Sequence, residues 1–140
     1  PLLPESFHYC NAAAGQAHTV LLRQDGKVFA CGSNLDGQCN VPDIEADRRY
    51  IAVAAGLNYS ACLRDDGQVV AFGDNSAGQC VVPDLPGGTC CVGLALGRTH
   101  TVMLMDDGKA MAFGLNSSGE CTLPLLAEHT KYTDISAHGA

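Results

Sequence analysis

Apolar residues fall in short runs, each closed by turn-forming residues. Val20, Leu21 and Leu22 are consecutive, as are Val102, Met103 and Leu104. A strand with this pattern is apolar on both sides and is buried on both faces. The stretch from Tyr50 shows the order of elements. Tyr50–Gly56 is an apolar run ending in small residues, and Leu57-Asn58 turns the chain. Tyr59–Arg64 reads as a second strand. Asp65-Asp66-Gly67 predicts a tight hairpin, because Asp-Gly supplies the positive φ such turns need. Gln68–Phe72 reads as a third strand, followed by the turn-rich segment Gly73–Gly78. Gln79–Val82 predicts a fourth, edge-like strand stopped by Pro83.

This unit returns every 41 residues without insertion or deletion. Gly15, Gly56 and Gly97 keep the step, as do Asn34, Asn75 and Asn116, and Cys39, Cys80 and Cys121. A fixed period in this range marks a repeat architecture. The reading is a lead segment at 1–8, repeats at 9–49, 50–90 and 91–131, and the start of a fourth at 132–140. Hairpin-built sheets buried on both faces and repeated in series are the blades of an all-β propeller. The first strand of each unit is small (Ala12–Gly15, Ala54–Gly56, Ala95–Gly97), which suits the crowded strand nearest the axis. Helical periodicity is absent, and Gly punctuates the chain throughout.

The segment Gly15–Pro42 carries a small-small-Gly strand, a His18-Thr19 pair and an Asp25-Gly26 hairpin. It continues with an apolar-Gly-x-Asn-x-x-Gly-Gln turn and a Val41-Pro42 exit. The pattern recurs at Tyr59-Ser60, Phe72–Gln79 and Val82-Pro83, and at His100-Thr101, Phe113–Glu120 and Leu123-Pro124. It resembles the repeat of the regulator of chromosome condensation family, most closely the short-repeat branch that includes β-lactamase inhibitory protein II. The chain departs from the family in having no Trp, with Cys31, Phe72 and Phe113 in its usual place, and in Glu120 for Gln. The resemblance implies propellers of about seven blades, or roughly 290 residues at this period. Residues 1–140 are therefore expected to form part of a ring completed by further repeats or by a partner subunit. The chain opens at Pro1, so a processed N-terminus or a segment of something longer is expected.

Charge and cysteine content narrow the function. The net charge is −7 and the eight basic residues are scattered, which opposes nucleic-acid binding. No apolar run approaches a membrane span. Of the eight cysteines, Cys39, Cys80 and Cys121 repeat in phase, too far apart for bridging. Cys31 and Cys62 read as small buried hydrophobes, and Cys10, Cys90 and Cys91 are the thiols to check for pairing. Many free thiols point to an intracellular, reducing compartment.

Each apparent chemical motif has a structural reading. Gly32-x4-Gly37 and its copies lack the Lys of a phosphate-binding loop, since Gln38, Gln79 and Glu120 follow. Asp65-Asp66 and Asp106-Asp107 lack the alternation of a calcium loop. The cysteines lack the close pairing of a zinc site. Ser76, Ser117 and Ser118 sit in no nucleophile elbow. The expectation is no catalytic residue, no cofactor and no metal.

What remains is the set of positions where the repeats disagree. These are the loops before the second strand (Gln16, Leu57, Asn58, Arg98 and His138) and those after the third (Leu35, Asp36, Asp74 and Leu115). A fixed frame with variable loops is a common way to carry recognition. His18, Tyr59 and His100 share one slot and are candidate contacts if they reach the face. In the inhibitory relatives the propeller face binds a partner protein, so the resemblance implies a protein-binding module or an accessory subunit. The alternatives are nucleotide exchange on a small GTPase, or inhibition of an enzyme.

Overall fold

The structure, a computed structural model, describes residues 6–137. Among the described residues, nine strands form three antiparallel sheets of identical design. The strands are β1 (Tyr9–Ala14), β2 (His18–Arg23), β3 (Val28–Gly32), β4 (Tyr50–Ala55), β5 (Tyr59–Arg64), β6 (Val69–Gly73), β7 (Cys91–Leu96), β8 (His100–Met105) and β9 (Ala110–Gly114). The sheet orders are β1-β2-β3, β4-β5-β6 and β7-β8-β9. Each sheet is one propeller blade. The ladder shifts by one residue in the same place in each first strand, at Tyr9/Asn11, Tyr50/Ala52 and Cys91/Gly93.

The middle strand of the second blade, β5, faces a blade on each side, and the alternation of its side chains divides the core between two joints. Val20 and Leu22 of β2 pack against Tyr50, Val53 and Cys62 of the second blade. The odd positions of β5 (Tyr59, Ala61 and Leu63) turn the other way, onto Cys91, Met103 and Met105 of the third. This is why the strands read as continuous apolar runs: both faces of β5 bury side chains. Blade joints of this kind, rather than one central core, hold the molecule together.

The Asp-Gly hairpins form as expected, in a different turn. Gly67 has φ of 81°, and its N–H donates to Arg64 O at 3.1 Å, while Arg64 N donates to Gln68 O at 2.8 Å. Among the described residues His129 is the one non-glycine with positive φ, so Asp66 is not left-handed. The loop is a turn closed by a glycine bulge rather than a two-residue hairpin with two left-handed positions.

Two sequence expectations are corrected. Gln79–Val82 is not a strand. Its backbone donors are taken locally: Cys80 N by Asn75 Oδ1, Val81 N by Gly78 O and Val82 N by Cys80 O. Pairing in a ladder would have to break these three local bonds. Cys31 is exposed. Its counterparts Phe72 and Phe113 pack into the joints with a preceding blade. Cys31 faces the entry side of the first blade, where no described sheet packs. Cys62 is buried as expected, and all eight cysteines carry free thiols, including Cys10, Cys90 and Cys91. Among the described residues no helix is long and apolar enough to cross a membrane.

Candidate partner-binding face

The turns that enter β2, β5 and β8 lie at one end of the blades and are tied to one another. Gln16 N donates to Leu57 O at 3.2 Å, and Leu57 N donates to Arg98 O at 3.3 Å. The result is a backbone staircase across three blades that gathers Gln16, Leu57 and Arg98. The loops leaving β3, β6 and β9 are anchored to the same turns. Ser33 N donates to Ala17 O at 2.7 Å, Asp74 N to Asn58 O at 2.9 Å and Leu115 N to Thr99 O at 2.9 Å. Both sets of variable loops therefore share one face, and the Asp-Gly hairpins occupy the opposite end.

The repeated residues of the outer loops build the loops themselves. The Asn34, Asn75 and Asn116 Oδ1 atoms accept from the amides of Cys39, Cys80 and Cys121 at 2.8–2.9 Å. The side-chain oxygens of Gln38, Gln79 and Glu120 accept from the amides of Asp36, Ala77 and Ser118 at 2.8–3.0 Å. These amides point inward at side chains, so the glycine-rich turn offers no nest of free N–H groups to a phosphate. The in-phase thiols donate to the carbonyls of Ser33, Asp74 and Leu115 at 3.2–3.3 Å. Burial pushes the Cys80 thiol up to about 11, away from thiolate chemistry. Among the described residues no three His, Cys, Asp or Glu side chains converge as a metal-holding group.

The shared ring slot belongs to the joints. His18 is 3% exposed and Tyr59 fully buried. His18 Nε2 lies 2.9 Å from Ser60 Oγ of the next blade, and Ser60 Oγ donates to Gln38 O at 2.8 Å. In the second joint Thr101 Oγ1 donates to Gln79 O at 3.0 Å and lies 3.3 Å from the Tyr59 hydroxyl, which donates to His100 O. Burial lowers the pKa of His18, opposed by the Tyr59 carbonyl, and raises that of Tyr59 to about 12. His18 and Tyr59 are thus corrected from candidate contacts to clasps between blades. His100, half-buried, occupies the same slot on the far side of the third blade. The spacing of 42 between ring and hydroxyl explains why His/Tyr is always followed by Thr/Ser: each pair serves two joints.

The rings also explain the glycine column. A Cβ on Gly56 would collide with the Tyr59 ring, and one on Gly15 or Gly97 with His18 or His100. The glycines are there because aromatic rings pack directly against them, a role that the sequence showed only as a run of small residues. They floor a shallow concavity of about 390 Å³ rimmed by Gln16, Leu57 and Arg98. Farther out, Leu35 is 94% exposed, and Asp36 and Leu115 are also exposed. Asn58 and Asp74 are half-buried. The Asp74 carboxylate is held low by the Ser76 amide and further by Ser76 Oγ and Gln79 Nε2, so it braces its own loop. His138 lies outside the described residues.

At the hairpin end, charges are neutralised in place. Arg23 pairs with Asp25 at 2.7 Å, Arg64 with Asp66 at 2.6 Å and Lys109 with Asp107 at 3.2 Å. Arg48 reaches Asp65 and Asp66 at 3.9 Å. The guanidinium of Arg23 holds the Asp25 carboxyl down to about 2.

Solved structures share this architecture. Prp20p from Saccharomyces cerevisiae superposes with a TM-score of 0.75 at 23% identity, over 87% of this chain and 34% of its own. Human WBSCR16 gives 0.70 at 21%, over 82% and 37%. The ectodomain of the receptor kinase CR4 from Physcomitrella patens gives 0.68 at 20%, over 96% and 37%. At such identities the likeness is one of fold, and the chain spans little more than a third of each of these structures. The Prp20p structure was described together with its binding properties to Gsp1p and histones, and yeast RCC1 (Prp20) has also been seen with Kap60 bound. No curated protein matches the chain by sequence. The family model for the regulator of chromosome condensation (RCC1) repeat matches residues 7–38, 50–79 and 91–120, in phase with the three blades. The chain belongs to the regulator of chromosome condensation repeat family.

Proposed function

We propose that this chain is a non-catalytic protein-binding module, or an accessory subunit of a larger assembly, that engages its partner through the loop face. The observation that carries this reading is the staircase at Gln16, Leu57 and Arg98. It fixes the backbone of three turns and leaves their side chains different in size, polarity and charge. The exposed Leu35 adds apolar area on the same face. The neighbours support a protein partner, since Prp20p was characterised with Gsp1p, histones and Kap60. Three blades make part of a propeller, so further repeats or a partner subunit would complete the ring. Eight free thiols favour a reducing, intracellular setting, and the net charge of −7 disfavours nucleic acid.

A Leu57→Asp/Arg98→Glu double variant tests the face, with Lys109→Glu at the hairpin end as control. The captured protein is identified by mass spectrometry and its affinity measured against all three forms. Binding weakened more than about tenfold by the face variant alone supports the reading. Binding lost through Lys109→Glu, with the face variant unaffected, would overturn it. A second reading is guanine-nucleotide exchange on a small GTPase, favoured by the association of Prp20p with Gsp1p. It predicts faster nucleotide release when the chain is mixed with such a GTPase. Enzyme inhibition by the same face, by likeness to the short-repeat inhibitory branch, predicts loss of the partner's turnover on binding.

A further inference from the structure

The two joints are built to one plan with one chemical difference. The first uses an imidazole, His18, where the second uses a phenol, Tyr59. Ser60 commits its hydrogen to Gln38 O, so His18 must donate from Nε2 to Ser60 Oγ. Nδ1 then carries a bare lone pair. It is the one buried side-chain nitrogen or oxygen without a hydrogen-bond partner among the described residues. The ring lies so close to Gly15 that even a methyl group there would collide with it, and Gly56 O sits beside the same spot. This packing leaves little room for a water beside Nδ1.

A proton on Nδ1 would create a buried charge with no counter-ion. The groups around the ring are Gly15 from the β1–β2 turn, the Gly56 carbonyl from the β4–β5 turn, Tyr59 and Ser60 from β5, and the Gln38 carbonyl. All are neutral. Tyr59 is the titratable side chain among them, and its hydroxyl is directed into the other joint. No carboxylate contributes to the ring's environment. An unpaired buried charge is relieved by deprotonation or by opening the site to water.

We propose that the joint between the first and second blades is an acid-sensitive hinge: protonation of His18 opens it, while the Tyr59 joint stays closed. Opening would break the Gln16–Leu57 step of the staircase and leave the Leu57–Arg98 step intact. Mild acid would then rearrange one side of the loop face. The direction of the linkage follows from burial, which lowers the pKa of His18 below 6.5 in the folded chain. Its contribution to the joint is complete above pH 6.5 and is lost as the pH falls from there through the folded value.

The test is amide hydrogen exchange by NMR between pH 7 and pH 5, expressed as protection factors so that intrinsic exchange cancels. Protection of the Gln16 amide should fall by up to about tenfold per pH unit below pH 6.5, while the Leu57 amide holds. Parallel profiles for the two amides, falling or flat, would overturn the proposal. His18→Tyr should flatten the Gln16 profile, and a fall that persists in it would equally overturn it. Should that variant fail to fold, Tyr59→His supplies the converse, an acid-dependent loss of protection at Leu57, and its absence would count against the hinge.

Discussion

Thr101 Oγ1 donates to the carbonyl oxygen of Gln79 across a blade joint, at 3.0 Å and fully buried on both sides. Thr101→Val keeps the shape and removes the donor, leaving the Gln79 carbonyl without its partner. The expected loss is about 1–3 kcal/mol in urea unfolding, the range for an orphaned buried polar group. An unchanged midpoint would mean that water reaches the joint.

Gln79 donates from Nε2 to Asp74 Oδ2 at 2.9 Å while its Oε1 caps Ala77 N. Gln79→Glu would set two carboxylates together in a buried loop. It should destabilise by about 1–3 kcal/mol at pH 7, because one acceptor loses its donor. Like charge raises the pair's folded pKa, so the deficit relative to wild type should shrink as the pH drops toward 4. Urea midpoints at both pH values measure this, and a deficit independent of pH would contradict it. Glu120→Gln should be nearly silent. Leu115 stands there in place of Asp74, and Glu120 accepts from the Ser118 amide as Gln79 does from Ala77.

Gly56→Ala places a methyl group inside the Tyr59 ring. Overpacking of a closed site costs about 1–3 kcal/mol. Gly87, with open space around its Cα, is the control: Gly87→Ala should change stability by less than about 0.5 kcal/mol. Thermal melts of the two variants should separate clearly. Equal melts would remove the ring-on-glycine account of the repeated column.

Thiol reactivity should follow position in the blades. Cys10, Cys31 and Cys90 are exposed, whereas Cys62 is buried and pushed up to about 12. A thiol reagent at pH 8 is expected to label the first three in the native protein and Cys62 only on unfolding. Rapid native labelling of Cys62 would mean that the first joint opens readily at neutral pH.

Much of this architecture was legible in the sequence, because each blade repeats the same local instructions. The run Tyr59–Arg64 gave a strand with its observed ends, and Gln68–Phe72 missed β6 by one residue at each end. The predicted strand at Gln79–Val82 failed because Asn75 and the turn carbonyls out-compete a ladder for its amides, and propensity does not report that competition. Cys31 is exposed despite its apolar slot because burial there comes from a blade on the entry side rather than from its own strand. The rings of His18 and Tyr59 could not be placed from periodicity alone, since a slot at a strand start serves equally for a face or a joint. Their constant neighbours, Thr19 and Ser60, were the available signal. Of the predicted face residues, Gln16, Leu57 and Arg98 are gathered at one rim, with Leu35, Asp36 and Leu115 farther out on the same face.

The staircase from Gln16 through Leu57 to Arg98 constrains how such a face can diversify. Each step uses a backbone amide and carbonyl at equivalent positions, so adding or deleting a residue in any of these turns would put the next step out of register. Substitution leaves the steps untouched. The face behaves like a line of type with fixed spacing: its letters can be exchanged one at a time without resetting the line. New specificity would therefore arise here by point mutation, blade by blade, rather than by the loop-length variation on which many other binding scaffolds rely.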